Sequence, residues 1–107
     1  MRTFIKKDVV EVVTERTGER PEVTAAVVNE MFQALRAILS SDDNELRIEI
    51  RDFGVFEVRE TKSKPHARNP KTNEIIQVPA RRKVHFKPGK LLRNALKVPL
   101  DELAEQD

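Results

Sequence analysis

Between Lys62 and Lys97 the chain holds eleven lysines and arginines against a single acid, Glu74. Fixed positive charge at that density has one plain use, the neutralisation of a polyanion. Residues 1–60 carry 9 Lys and Arg against 13 Asp and Glu, and residues 98–107 carry four acids and no base. A formal net charge of +2 therefore conceals a module at +10 (11 − 1) set between a body at −4 (9 − 13) and a tail at −4. Protecting exposed strand edges would account for some of these lysines, but not for eleven cations against one acid.

At the centre of the module stands HARNPKTNE, His66 to Glu74, whose Asn, Pro and Asn mark a turn. The runs on either side read as strands, so the turn tips a long basic hairpin. On alternating strands Lys62, Lys64 and Arg68 share one parity, and Arg81, Lys83 and Lys87 share another. Such a ribbon can lie along a nucleic-acid groove and bind phosphates through Lys62, Lys64, Lys71, Arg81, Arg82, Lys83, Lys87 and Lys90. Arg68 and Asn69 have the donors to reach acceptors on the floor of a minor groove. Pro70 is compact, apolar and rigid enough to wedge into a base step, at a cost of about a few kcal/mol that contacts to bent DNA offset.

Other chemistries lack their parts. KPGKLL fails the phosphate-loop pattern, with Val84 where a glycine is required and Leu91 where Ser or Thr is required. Amide groups at the helix start after Gly89, with Lys90, could still hold a DNA phosphate. His66 and His85 have no companions at metal-ligand spacing, and no hydroxyl has an evident base beside it. Asp42-Asp43 reads as a solvated turn. No enzyme, metal, cofactor or small-molecule substrate is expected. Cysteine is absent, no signal leader is expected, and no apolar run near the roughly 18 residues of a membrane span is present. A soluble protein of the cytoplasm is expected.

The elements that must position the ribbon follow from periodicity. KKDVVEVVTERT predicts a helix stopped by Gly18, and Pro21 opens a second whose apolar residues keep a 3.6-residue period to Ser40. LRIEI alternates strictly as a strand, with Leu46, Ile48 and Ile50 inward, and a second strand begins at Phe53. Pro88-Gly89 opens a short last helix that Pro99 stops. The tail beyond is expected to lack fixed structure. If residues 61–83 project as an arm, only about 80 residues remain to form a core, a size at which chains commonly recruit a second subunit. Met31, Phe32, Leu35, Phe53, Phe56 and Phe86 are the expected dimer-core residues.

The run FGVFEVRE…ARNPKT…VPARRKVHFKPGKLL resembles the bacterial histone-like HU and integration host factor family over roughly residues 6–97. The resemblance implies an α+β fold: two N-terminal helices, a three-stranded antiparallel saddle sheet, a β-ribbon arm and a short C-terminal helix. It also implies an intertwined dimer whose arms clasp the minor groove of double-stranded DNA and bend it, in the bacterial nucleoid. The dimer would be of identical subunits or would pair with a paralogue. Pro70 matches the wedge proline, Arg68 and Asn69 its groove-contacting neighbours, and Lys87 and Lys90 positions near the base of the arm. The expected layout is one domain over residues 1–97, with the arm at about 61–83 and an acidic tail at 98–107. Asp52 and Asn73 stand where the family usually has glycine. The outgoing arm counts one residue longer than usual, which predicts a bulge or an altered register near Pro65 and leaves the facing of Lys62 and Lys64 open. An RNA-binding or protein-bridging use of the hairpin is the alternative, although the arm lacks aromatic residues on which bases could stack.

Overall fold

The computed structural model describes residues 1–105, without the side chains of Lys64, Pro65, Ala67 and Glu105. The chain forms two compact units, residues 1–41 and residue 42 onward.

The first unit is a helical hairpin of α1 (Lys6–Thr17) and α2 (Pro21–Leu39). Asp8 caps α1 by accepting the Ile5 N–H on Oδ2 at 2.7 Å, while its own N–H donates to the Ile5 carbonyl at 2.9 Å. Gly18 ends the helix at φ 70°, its N–H donating to the Thr14 carbonyl, as a C-terminal glycine should. Pro21 occupies the start of α2, where a missing N–H costs nothing. The Thr14 and Thr24 hydroxyls bond to each other, and Lys6 Nζ donates to Asn29 Oδ1 at 2.6 Å. Thr24 and Val28 are buried, whereas Val27, Met31, Phe32 and Ile38 remain exposed along α2.

The second unit contains β1 (Leu46–Ile50), β2 (Gly54–Glu60), β3 (Lys64–Arg68), β4 (Ile75–Val78) and β5 (Arg82–Pro88). Two helices follow, α3 (Lys90–Leu96) and α4 (Leu100–Glu105). An antiparallel sheet runs in the order β1-β2-β5, and β3 pairs with β4 in a separate two-stranded ribbon. Asp52 turns β1 into β2 at φ 64°, a left-handed value that explains a glycine preference there. Gly54 sits so close to β5 that a Cβ would lie 2.6 Å from the Lys87 carbonyl oxygen and 2.7 Å from the Phe86 ring.

Register sorts the sheet into two faces, because directly opposed residues share a side. Leu46, Ile48 and Ile50 line up with Val58, Phe56 and Gly54, and these with Val84, Phe86 and Pro88. On this apolar face the Phe86 ring lies 4.8 Å from Phe56 and 5.3 Å from Phe53. Val58 is buried, but Phe53 and Phe86 are still 46% and 39% exposed. Among the described residues only Val28 and Val58 are buried hydrophobic side chains, too little to hold a folded chain alone.

Two expectations need correction. Residues 100–105 are helical, because the Pro99 carbonyl accepts from the Glu102 and Leu103 amides: the residue that stops one helix starts another. The alternation that gave Lys64 and Arg68 one parity also fails. Lys64 pairs with Val78 and Ala67 with Ile76, so Pro65 and His66 together face Gln77 in a bulge that shifts the alternation by one. Of the bulge or altered register that the extra residue predicts, the ribbon takes the bulge; the Lys64 side chain itself lies outside the described residues.

Candidate nucleic-acid interface

The ribbon is joined to the sheet through a short break. Pro79 has no N–H for a ladder, and neither Thr61–Ser63 nor Pro79–Arg81 belongs to a strand. Thr61 bridges the base of the arm: its N–H and Oγ1 both donate to the Arg81 carbonyl, at 2.7 and 3.2 Å, and Oγ1 accepts the Arg81 N–H at 2.9 Å. The exposed side chains of Lys62 and Arg81 flank this clamp.

At the far end the chain reverses between Asn69 and Glu74. The Asn69 N–H donates to the Glu74 carbonyl at 2.8 Å, and the Asn73 N–H to the Asn69 carbonyl at 2.7 Å. Asn69 Oδ1 accepts the Lys71 amide at 3.0 Å, folding the side chain back over the turn that lifts Pro70. Asn73 holds φ 61°, the left-handed position of the hairpin. Arg68 Nη1 donates to Asn73 Oδ1 at 3.2 Å. Arg68, Pro70 and Lys71 are exposed, whereas Asn69 is half-buried, with its carbonyl oxygen committed to the turn.

The second face of the sheet carries Arg47 and Glu49 from β1, Val55, Glu57 and Arg59 from β2, and Lys83, His85 and Lys87 from β5. At its centre the Glu57 side chain is only 8% exposed, while Arg47, Arg59 and Lys87 around it are 54–62% exposed. Its carboxylate lies 2.9 Å from Arg59 Nε, 3.2 Å from Lys87 Nζ and 3.8 Å from Arg47 Nη2. Hydrogen bonds from Arg59 and then Lys87 hold this carboxyl below the usual carboxylate range, against the opposing effect of burial. The face is thus a cationic lattice organised around Glu57, with Glu49 paired to Arg47 at 3.5 Å toward its edge.

Of the residues proposed from sequence, Lys83 and Lys87 share this lattice, and Lys90 is the exposed first residue of α3. Arg82 does not join it: register places it opposite Glu60 on the other face, and Nη1 donates to the Asp43 carbonyl at 3.1 Å. Glu57, Arg47 and Arg59 were missed. The alternation of LRIEI turns Arg47 outward, but only the strand register reveals that it meets Glu57. Among the described residues no three His, Cys, Asp or Glu gather as a metal site, and no helix is long and apolar enough to cross a membrane.

A family model described as bacterial DNA-binding protein matches residues 4–97. Integration host factor subunit alpha of Haemophilus influenzae is 37% identical over 93 residues, covering 87% of this chain and 93% of that protein. The same-named subunit of Myxococcus xanthus is 36% identical over 104 residues, covering 95% of this chain and 78% of that protein. An Anabaena HU–DNA cocrystal structure superimposes with a TM-score of 0.77 at 33% identity, over 90% of this chain and all of that one. Matched by the family model over most of its length, by relatives at 36–37% identity and by a cocrystal structure at a TM-score of 0.77, the chain belongs to the HU and integration host factor family of bacterial DNA-binding proteins.

Proposed function

We propose that this protein is an architectural binder of double-stranded DNA that acts as a dimer and bends its target. The observation that carries the reading is the cationic ribbon ending in a rigid turn with Pro70 at its exposed summit. Each arm follows the minor groove, Arg68 reaches acceptors on its floor, and Pro70 enters a base step. Asn69 supports the turn with its oxygen and keeps its amide hydrogens for the groove. Lys62, Lys64, Lys71, Arg81, Lys83, Lys87 and Lys90, with Arg47 and Arg59, draw in phosphates. Arg82 contributes long-range charge from its place on the other face. The working domain is residues 1–97, with residues 98–107 as an acidic appendage, and the site of action is the nucleoid.

The dimer follows from what each unit leaves open. Met31 and Phe32 on α2, Phe53 in the turn before β2 and Phe86 on β5 are each about two-fifths exposed or more. Burying such a side chain fully is worth about 1.5–3 kcal/mol, so a second copy that covers them, with Leu35 and Phe56, supplies the missing core. The test is competition for a labelled duplex by unlabelled duplex or single-stranded RNA of equal length. Duplex should displace at far lower concentration; equal or better displacement by RNA would overturn the reading.

A further inference from the structure

Glycine would satisfy the backbone at position 73, where φ is 61°. Asparagine tolerates that conformation but is not needed for it. What it adds is a side-chain amide, and that amide is occupied: Asn73 Oδ1 accepts from Arg68 Nη1 at 3.2 Å across the mouth of the turn. We propose that Asn73 is a positioning residue that anchors the Arg68 guanidinium beside Pro70 before DNA arrives. The inference rests on the reading of Arg68 as the groove-entering side chain.

The chemistry suits the role. A guanidinium has five N–H donors, so one bond to Asn73 leaves the other nitrogens for acceptors on a minor-groove floor. A free arginine at a hairpin tip must surrender rotamer freedom when it enters a groove, whereas an anchored one has surrendered part of it already. The rest of the turn is held independently. Asn69 Oδ1 fixes the Lys71 amide, and the Asn69 and Asn73 backbone bonds close the hairpin without the Asn73 side chain. Removing the amide should therefore release Arg68 and leave the turn intact.

The test is a double-mutant cycle in the full-length protein, with duplexes whose centres are A·T-rich or G·C-rich. Asn73→Gly keeps the left-handed turn, and Asn73→Asp keeps both the turn and an acceptor for Arg68. Guanidinium Nε–H relaxation in the DNA-free protein reports whether Arg68 is anchored, which a merely structural role would not move. Asn73→Gly should mobilise Arg68, weaken binding about threefold to tenfold, and narrow the preference between the duplexes. Asn73→Asp should keep Arg68 ordered. Arg68→Ala should weaken binding, with no further loss on adding Asn73→Gly. If Arg68→Ala weakens binding but Asn73→Gly leaves affinity and Arg68 order unchanged, or the two losses simply add, the anchor is refuted and the groove reading stands. If Arg68→Ala has no effect, the groove role of Arg68 fails and the anchor with it.

Discussion

Glu57→Gln changes one atom of the charged sheet face and should make the protein a tighter, more salt-sensitive DNA binder. The native carboxylate holds Arg59, Lys87 and Arg47 within 2.9–3.8 Å, so arriving phosphates must compete with it. The substituted amide would keep the shape and one hydrogen-bond acceptor but release one unit of negative charge per subunit. Each extra cation engaged by duplex steepens the slope of log K against log salt by about 0.9, hence by about 1.8 for two subunits. Between about 50 and 200 mM salt, that difference shrinks the advantage of the variant roughly tenfold. Fluorescence anisotropy titrations at four salt concentrations would measure it. Equal slopes, or weaker binding by the variant at every salt, would refute the competition and recast Glu57 as an organiser that DNA binding needs. Stability should move the other way. The folded carboxyl lies below its ordinary value of 4.5, so its contribution is complete above that value and is lost as pH falls through the depressed folded value. Urea midpoints of the native protein and the variant should therefore differ at neutral pH and converge in acid.

Three further substitutions test the scaffold. Gly54→Ala places a Cβ 2.6 Å from the Lys87 carbonyl oxygen and should destabilise the fold by about 1–3 kcal/mol in thermal melts. Asp52→Gly relieves a left-handed residue at φ 64° and should raise stability by up to about 1 kcal/mol, visible as a higher melting temperature. Thr61→Val removes the hydroxyl that both donates to and accepts from Arg81. It should speed amide exchange at the base of the arm while leaving the β1-β2-β5 sheet protected, at a local cost of about 0.5–1.5 kcal/mol.

Much of this architecture is local and was therefore legible in the sequence. Gly18 and Pro21 bound the helices through backbone constraints that need no neighbours, and LRIEI carries its own alternation. Arg68-Asn69-Pro70 announces the arm tip by residue type, and the count from Phe53 to Pro70 anticipates the bulge at Pro65 and His66. What escaped depends on partners far along the chain. Glu57 looks like one more polar strand residue until register sets it between Arg47 and Lys87. Arg82 is the exception: strict alternation with Lys83 and Lys87 already puts it on the opposite face, where it pairs with Glu60, and only its charge grouped it with them. The helix at residues 100–105 was hidden because Pro99 reads as a terminator, although its carbonyl can also begin a turn.

The central claim is that the two arms bend DNA through Pro70. Energy transfer between dyes on the two ends of a duplex of about 35 base pairs tests it directly, since free DNA that much shorter than its persistence length of about 150 base pairs stays nearly straight. Transfer should rise to a plateau as protein is added, and Pro70→Ala should lower the plateau even at saturating protein. Saturation without any approach of the ends, or an unchanged plateau for Pro70→Ala, would contradict the account.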